Sequence, residues 1–260
     1  MTDDRLLGRY DAAALRALFA EAGVLRILEE RGFTDLEVAV DGTGSTVSHA
    51  LLFGRKDGDR YELIDAIVVE ATLPPRLLTV GTGLTRELDL AVVYWLRQED
   101  PTRAFLDSRP ALPLQRHPGL GVLRRAFRVA VQMASELGKD GVGNLPKFFH
   151  DAVIFFHSRL FLFLDGEEQG RFEALVRDLD PLPLGDASIA LIGGCVRDAQ
   201  GAVVQWRPGI QVFPISADLT AYFHSPEYAA AVARGLAAAH FTHSAAELGK
   251  ARRLLRPPAA

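Results

Sequence analysis

Gln115-Arg116-His117-Pro118-Gly119-Leu120-Gly121 is the stretch on which the reading of this chain turns. The apolar run Ala111, Leu112 and Leu114 before it predicts a buried strand. Residues 122–137 after it predict a helix that stops at Gly138. Leu123, Ala126/Phe127, Ala130, Met133/Ala134 and Leu137 recur at three-to-four spacing, which buries one helix face and leaves Arg124, Arg125 and Arg128 on the other. A strand, a glycine loop and a helix in that order leave backbone N–H groups unpaired at the helix start. The helix dipole adds partial positive charge there, so the turn suits a phosphate. The same residues also read as a tight turn that binds nothing.

Beyond Gly138 come a loop or short strand, the run Ala152-Val153-Ile154-Phe155-Phe156, and a strand-like run Leu160-Phe161-Leu162-Phe163-Leu164. Arg116-His117-Pro118-Gly119-Leu120-Gly121 has the form R-x-x-G-x-G. It resembles the pyrophosphate-binding loop of the GNAT superfamily of N-acetyltransferases, and the elements after it resemble that family's cofactor helix, strand, short helix and strand. The resemblance covers residues 46–165 at most. It implies an α/β (α+β) fold with a mixed, mostly antiparallel sheet flanked by helices. It further implies acetyl-CoA or another acyl-CoA as cofactor, held by Arg116, His117, Gly119, Leu120 and Gly121, and an amine as acceptor. In the family the short helix carries a tyrosine that protonates the departing thiolate. The corresponding position here is Phe156, which has no proton to give, and Leu160 stands where the family has glycine before the next Phe.

Upstream, residues 10–31 predict helix, divided at Gly23 and capped by Gly32, and residues 35–40 alternate as a half-buried strand. Asp41-Gly42-Thr43-Gly44 reads as a turn. Residues 47–55 and 61–71 form two β-rich runs around Lys56-Asp57-Gly58-Asp59, a hairpin signal because Asp-Gly accepts positive φ. Glu62, Asp65 and Glu70 lie along the second run. The resemblance makes them candidates to deprotonate the amine, while composition alone makes them solvent-facing carboxylates. Residues 72–83 read as a loop, residues 85–97 as an additional helix through Leu88, Ala91/Val92 and Trp95, and residues 101–109 as a polar connection.

Downstream, residues 167–179 predict a short helix, and Pro181-Leu182-Pro183 is the best linker candidate. The expected division is therefore a domain of residues 1–180 and a C-terminal α/β extension of residues 181–260. In the extension, residues 189–196 and 202–206 flank a turn at residues 198–201, and residues 210–215 form a further strand. Ser225-Pro226-Glu227 opens a helix in which Ala229, Ala230, Val232 and Ala233 would allow close packing. Ser216 and Asp218 read as helix caps, and the tail from Arg252 as frayed.

The chain has 260 residues, 48% of them hydrophobic, enough to fill a core, and its net charge of −4 gives no electrostatic case for nucleic acid. One cysteine, Cys195, excludes an internal disulfide and a Cys cluster for zinc; its apolar neighbours suggest a buried strand thiol. No secretory signal or membrane-length apolar run is visible, which makes a cytoplasmic location the default. His150 and His157 would share a helix face but lack a third metal ligand. His150 beside Asp151 reads either as a base with its orienter or as a structural histidine among aromatics. Three readings stand: an acyl-CoA-dependent N-acyltransferase, a GNAT-shaped protein without catalysis, and an interaction protein whose turn holds no ligand.

Overall fold

The computed structural model describes residues 5–42, 47–78, 86–106, 111–157 and 161–255. The fold is mixed α/β, with a mostly antiparallel sheet flanked by helices. The chain folds as two compact units, Met1–Leu73 with Glu87–Phe105 and Arg116–Gly143, and Pro74–Arg86 with Leu106–Gln115 and Asn144–Ala260.

The first unit opens with α1 (Ala12–Glu21) and α2 (Val24–Glu30), separated at Gly23 with φ +75°. Asp11 caps α1 by accepting the Ala14 amide at 2.8 Å. Strands β1 (Thr34–Gly42), β2 (Val47–Lys56), β3 (Asp59–Leu73) and β4 (Leu88–Gln98) follow as an antiparallel meander. Asp57 and Gly58 join β2 to β3 with φ +52° and +92°, as a tight hairpin needs. Helix α3 (Leu123–Glu136) packs on β4 and α1 through Phe127, Met133 and Ala134, as its spacing predicts, and also through Val129. Gly138, at φ +67°, ends it, and β5 (Gly141–Asn144) lies beside β4.

Two expectations around the loop are corrected. Residues 88–98 are strand, not helix. Leu88 and Leu90 are buried while Asp89 is exposed, a period of two, and Val92, Val93, Tyr94 and Trp95 are β-branched or aromatic residues that favour a pleated surface. The three-to-four spacing of Leu88, Ala91/Val92 and Trp95 is incidental. Residues 111–114 are not a strand but part of a turn. Leu114 is 73% exposed with φ +65°, and the turn is closed by Gln115, whose side chain accepts the Leu112 amide. The strand that the glycine loop requires is β4, reached across an excursion from Glu99 to Gly119.

The second unit holds a one-turn helix at Pro75–Leu77, then α4 (Phe149–His157), β6 (Leu162–Phe163), α5 (Gly166–Leu179), α6 (Leu184–Ile192) and β7 (Val196–Asp198). After these come β8 (Gln211–Pro214), α7 (Ala217–Phe223), α8 (Pro226–Ala238), β9 (Phe241–His243) and α9 (Ala245–Leu255). Strands β6 and β8 pair antiparallel, as do β7 and β9. Phe149, Phe163, Phe172 and Trp206 form an aromatic core, each ring edge-on or tilted to its neighbours. Pro181-Leu182-Pro183 makes the short turn between α5 and α6 inside this unit. Residues 189–192, expected as strand, finish α6: Ile189, Ala190 and Leu191 are all buried on a helix, and an unbroken apolar run does not separate the two states.

Helix α8 meets α5 through glycines and the buried Ala231, which faces Gly166. A Cβ at Gly170 would lie 2.0 Å from the Val232 carbonyl oxygen, and one at Gly235 2.2 Å from that of Glu167. Ala229, Ala230 and Ala233 face solvent instead. Among the described residues no helix is long and apolar enough to cross a membrane. The expected turn at Thr43 and Gly44, Thr85, Arg109 and Leu160 lie outside the described residues.

Candidate functional site

The glycine loop is tied directly to the end of β4. Glu99 and Gly119 form an antiparallel bridge, in which Leu120 donates to the Gln98 carbonyl at 3.3 Å and Asp100 donates to that of Pro118 at 2.7 Å. Leu120 and Val122 are fully buried, so the loop is anchored by its apolar residues while Gly119 and Gly121 stay exposed. Gly121 has φ +68°, a conformation a side chain resists. Among the described residues, the amides of Gly119, Gly121, Val122, Leu123 and Arg124 have no hydrogen-bond partner, and no side chain caps α3. The first turn of α3 also contains no acidic residue. Five unpaired N–H groups at a helix start, with the dipole behind them, favour an anion.

Cations border this loop. Arg116 is exposed, and its own amide is taken by the buried Glu99 carboxylate at 3.1 Å, so its contribution to an anion would come from the guanidinium alone. His117 is half-buried. Arg31, at the end of α2, reaches the loop from 90 residues away in sequence: a Cβ on Gly121 would stand 3.1 Å from its guanidinium. The same Arg31 pairs with the fully buried Asp100 at 3.4 Å. Nothing in the local sequence marks Arg31. Of the helix arginines, Arg124 and Arg128 are exposed, whereas Arg125 donates to the Ala22 carbonyl at 3.0 Å and braces the α1–α2 corner.

The three carboxylates expected along the hairpin all sit on β3, and each has a partner. Glu62 pairs closely with Arg97. Glu70 pairs with Lys139 at 2.5 Å. Asp65 accepts from Trp95 Nε1 at 3.0 Å and faces His49 Nε2 at 2.7 Å, with Arg97 at 3.8 Å. His49 carried no signal in the sequence; it lies on the neighbouring strand, where a register of pairing brings it to Asp65. Beside this group the β3–β4 register shifts: Ile67 pairs with Trp95 and Val68 with Val93, leaving Tyr94 extra on β4. A bulge of this kind re-aims the side chains around it.

In the second unit, His150 is buried, with Nδ1 2.8 Å from Ser188 Oγ and Nε2 3.4 Å from Asp151, and its ring stacks on Phe148. Burial lowers the pKa of His150, opposed by Asp151, and burial raises that of Asp151, opposed by His150. His150 is therefore a buried polar group of the core, with the half-buried Asp151 at its edge. His157 is exposed, and no group of three or more His, Cys, Asp or Glu side chains that could hold a metal occurs among the described residues. Phe156 packs edge-on against Phe172 at 5.2 Å, as part of the aromatic core. Cys195 is buried just before β7, and burial raises its thiol pKa, the setting of an inert thiol. Ser216 caps α7 through the Leu219 amide at 3.3 Å, and Asp218 stands in that helix's first turn.

No protein-family model matches the chain, and no curated protein is similar to it at a significant level. A solved structure that is similar is that of a mutant AtaT toxin bound to the C-terminus of the antitoxin AtaR and acetyl-CoA. The two share 18% sequence identity over 65% of this chain and 86% of that one, with a TM-score of 0.29.

Proposed function

We propose that the chain is an acyl-CoA-binding protein of the GNAT type, acting as an N-acyltransferase on an amine acceptor. The observation that carries this reading is the row of unpartnered amides from Gly119 to Arg124, held at the end of β4 by the Leu120 hydrogen bond. A pyrophosphate needs several such donors at once, and a loop pinned to a strand presents them without reorganisation. In this reading Gly119, Gly121 and the start of α3 hold the pyrophosphate, with the Arg116 and Arg31 guanidiniums beside it and His117 and Leu120 shaping the loop. The acyl arm then runs along β4, and positioning the thioester against the amine supplies much of the rate. Calorimetric titration of the wild-type protein with acetyl-CoA tests the reading: saturable binding that weakens when coenzyme A is added first is expected. Absence of heat at millimolar ligand would leave the loop as a turn.

A second reading keeps the cofactor grip without catalysis. Phe156 favours it, because the side chain at the family's usual acid position lacks a hydroxyl and is committed to packing on Phe172. Thiol release from acetyl-CoA across a panel of primary amines separates the two. Release by the wild type supports the transferase, and binding without release supports the inactive form.

A further inference from the structure

We propose that His49, held by Asp65, takes the proton from the acceptor amine; this rests on the acyltransferase reading. The three carboxylates on this hairpin are unsuited to the task because each is already engaged. Glu62 and Glu70 are ion-paired with Arg97 and Lys139, and both oxygens of Asp65 are occupied, one by His49 and the other by Trp95. His49 is different. Its Nε2 faces the Asp65 carboxylate at 2.7 Å, which fixes that nitrogen as the N–H donor and leaves Nδ1 as the lone-pair acceptor. Among the described residues Nδ1 has no partner, and the side chain is 35% exposed, so it is open to an incoming amine. A carboxylate behind an imidazole sets its tautomer and stabilises the charged ring that forms on proton uptake.

Register places the dyad along the route an acyl arm would take. His49 pairs with Ile67, and Ile67 with Trp95, so the three lie in one row across β2, β3 and β4. Trp95 is three residues before Gln98, whose carbonyl anchors the glycine loop, a separation along β4 of roughly 10 Å at the usual rise per residue. The row borders the bulge at Tyr94. The other charged groups around the imidazole are Asp41, opposite it on β1, and the Arg97–Glu62 pair beyond Asp65.

The chemistry balances without a further reactant. One proton of the acceptor ammonium passes to His49 Nδ1 and on to solvent. The neutral amine nitrogen forms its bond to the thioester carbonyl carbon, the carbon–sulfur bond breaks with its electron pair on sulfur, and the second amine proton reaches the thiolate through water. Asp65 is a positioning residue in this scheme.

The test uses the full chain, acetyl-CoA, an amine panel and a thiol reagent. His49→Gln retains an N–H for Asp65 but no basic nitrogen. Its kcat should fall at least 100-fold with KM for acetyl-CoA unchanged within twofold, and added imidazole should restore at least tenfold. Asp65→Asn should lower kcat about tenfold with the same KM. His49→Asn is the second substitution if the Gln variant melts early, with the same loss and rescue expected. Wild-type rates in the His49 variants, or a loss that imidazole does not restore, would overturn the proposal while leaving the acyltransferase reading intact. Acetyl-CoA binding without thiol release by the wild type would overturn it in favour of the inactive reading, and absence of binding would overturn the acyl-CoA reading with it.

Discussion

Helices α3 and α8 begin in opposite ways. At α8, Ser225 Oγ accepts the Tyr228 amide at 3.1 Å, Pro226 removes a donor from the first turn, and Glu227 complements the dipole. Helix α5 is capped likewise, with Asp165 accepting the Glu167 and Glu168 amides at 2.8 and 3.0 Å. At α3 the capping position is Val122, buried and without an acceptor, and the preceding residues are Gly121 and Leu120. A helix whose chain satisfies its own first amides has a structural end. One that leaves them bare on a loop pinned to a strand is open to a partner from outside. The difference predicts that damage in the second unit is felt as lost stability, and damage at the loop as lost binding.

The largest expected effect is in the α5–α8 contact. Gly170→Ala places a methyl 2.0 Å from the Val232 carbonyl oxygen, which the helix backbones cannot yield cheaply. A loss of about 3 kcal/mol is expected in urea denaturation, with acetyl-CoA affinity per folded molecule unchanged. An unshifted urea midpoint would show that the two helices do not approach as closely as this. Next comes Gly121→Glu, which strains a residue at φ +68° and sets a carboxylate among the bare amides. Acetyl-CoA should bind at least 100-fold more weakly, about 2.7 kcal/mol, while stability falls by the smaller strain of about 1 kcal/mol that a non-glycine residue carries at positive φ. Equal affinity in the variant and the wild type would reduce the α3 start to a turn.

A cap substitution is smaller. Ser225→Ala should cost about 1 kcal/mol of stability and leave acetyl-CoA binding alone; a cap loss that weakened binding would erase the contrast between the two helices. The smallest effect is in pH dependence. Because burial lowers the pKa of His150 from its usual 6.5, the unfolded chain binds this proton more readily than the folded one. Stability should therefore fall as pH drops from 7 through that range. Asp151 acts in the other direction: with its pKa raised above 3.8, its contribution favours the folded state at low pH and fades as pH rises through the folded value. His150→Gln removes the first effect, so melting temperatures between pH 7 and 5 should flatten or rise on acidification. A slope equal to that of the wild type would place the titrating group elsewhere.

The elements legible in sequence are those with a local cause. The hairpin turn at Asp57-Gly58, the break at Gly23, the stop at Gly138, the Ser225 cap and the amphipathic α3 each follow from a few neighbouring residues whose conformational preference is strong. Residues 88–98 and 189–192 depart from their sequence-based expectation for a shared reason. Short apolar runs fit both periodicities, and only pairing with β3 in one case and burial within the helices of the second unit in the other decides between them.

By itself, then, the sequence determined that a glycine loop precedes a strongly amphipathic helix, because glycine spacing and helical period are properties of consecutive residues. Which strand leads into that loop was settled only by the tertiary structure, through the bridge between Glu99 and Gly119 that closes the intervening excursion. The approach of Arg31 to Gly121 and the meeting of His49 with Asp65 were settled in the same way. Those contacts join residues that share no local preference. Strand register and helix packing create them, and both depend on the whole core being formed.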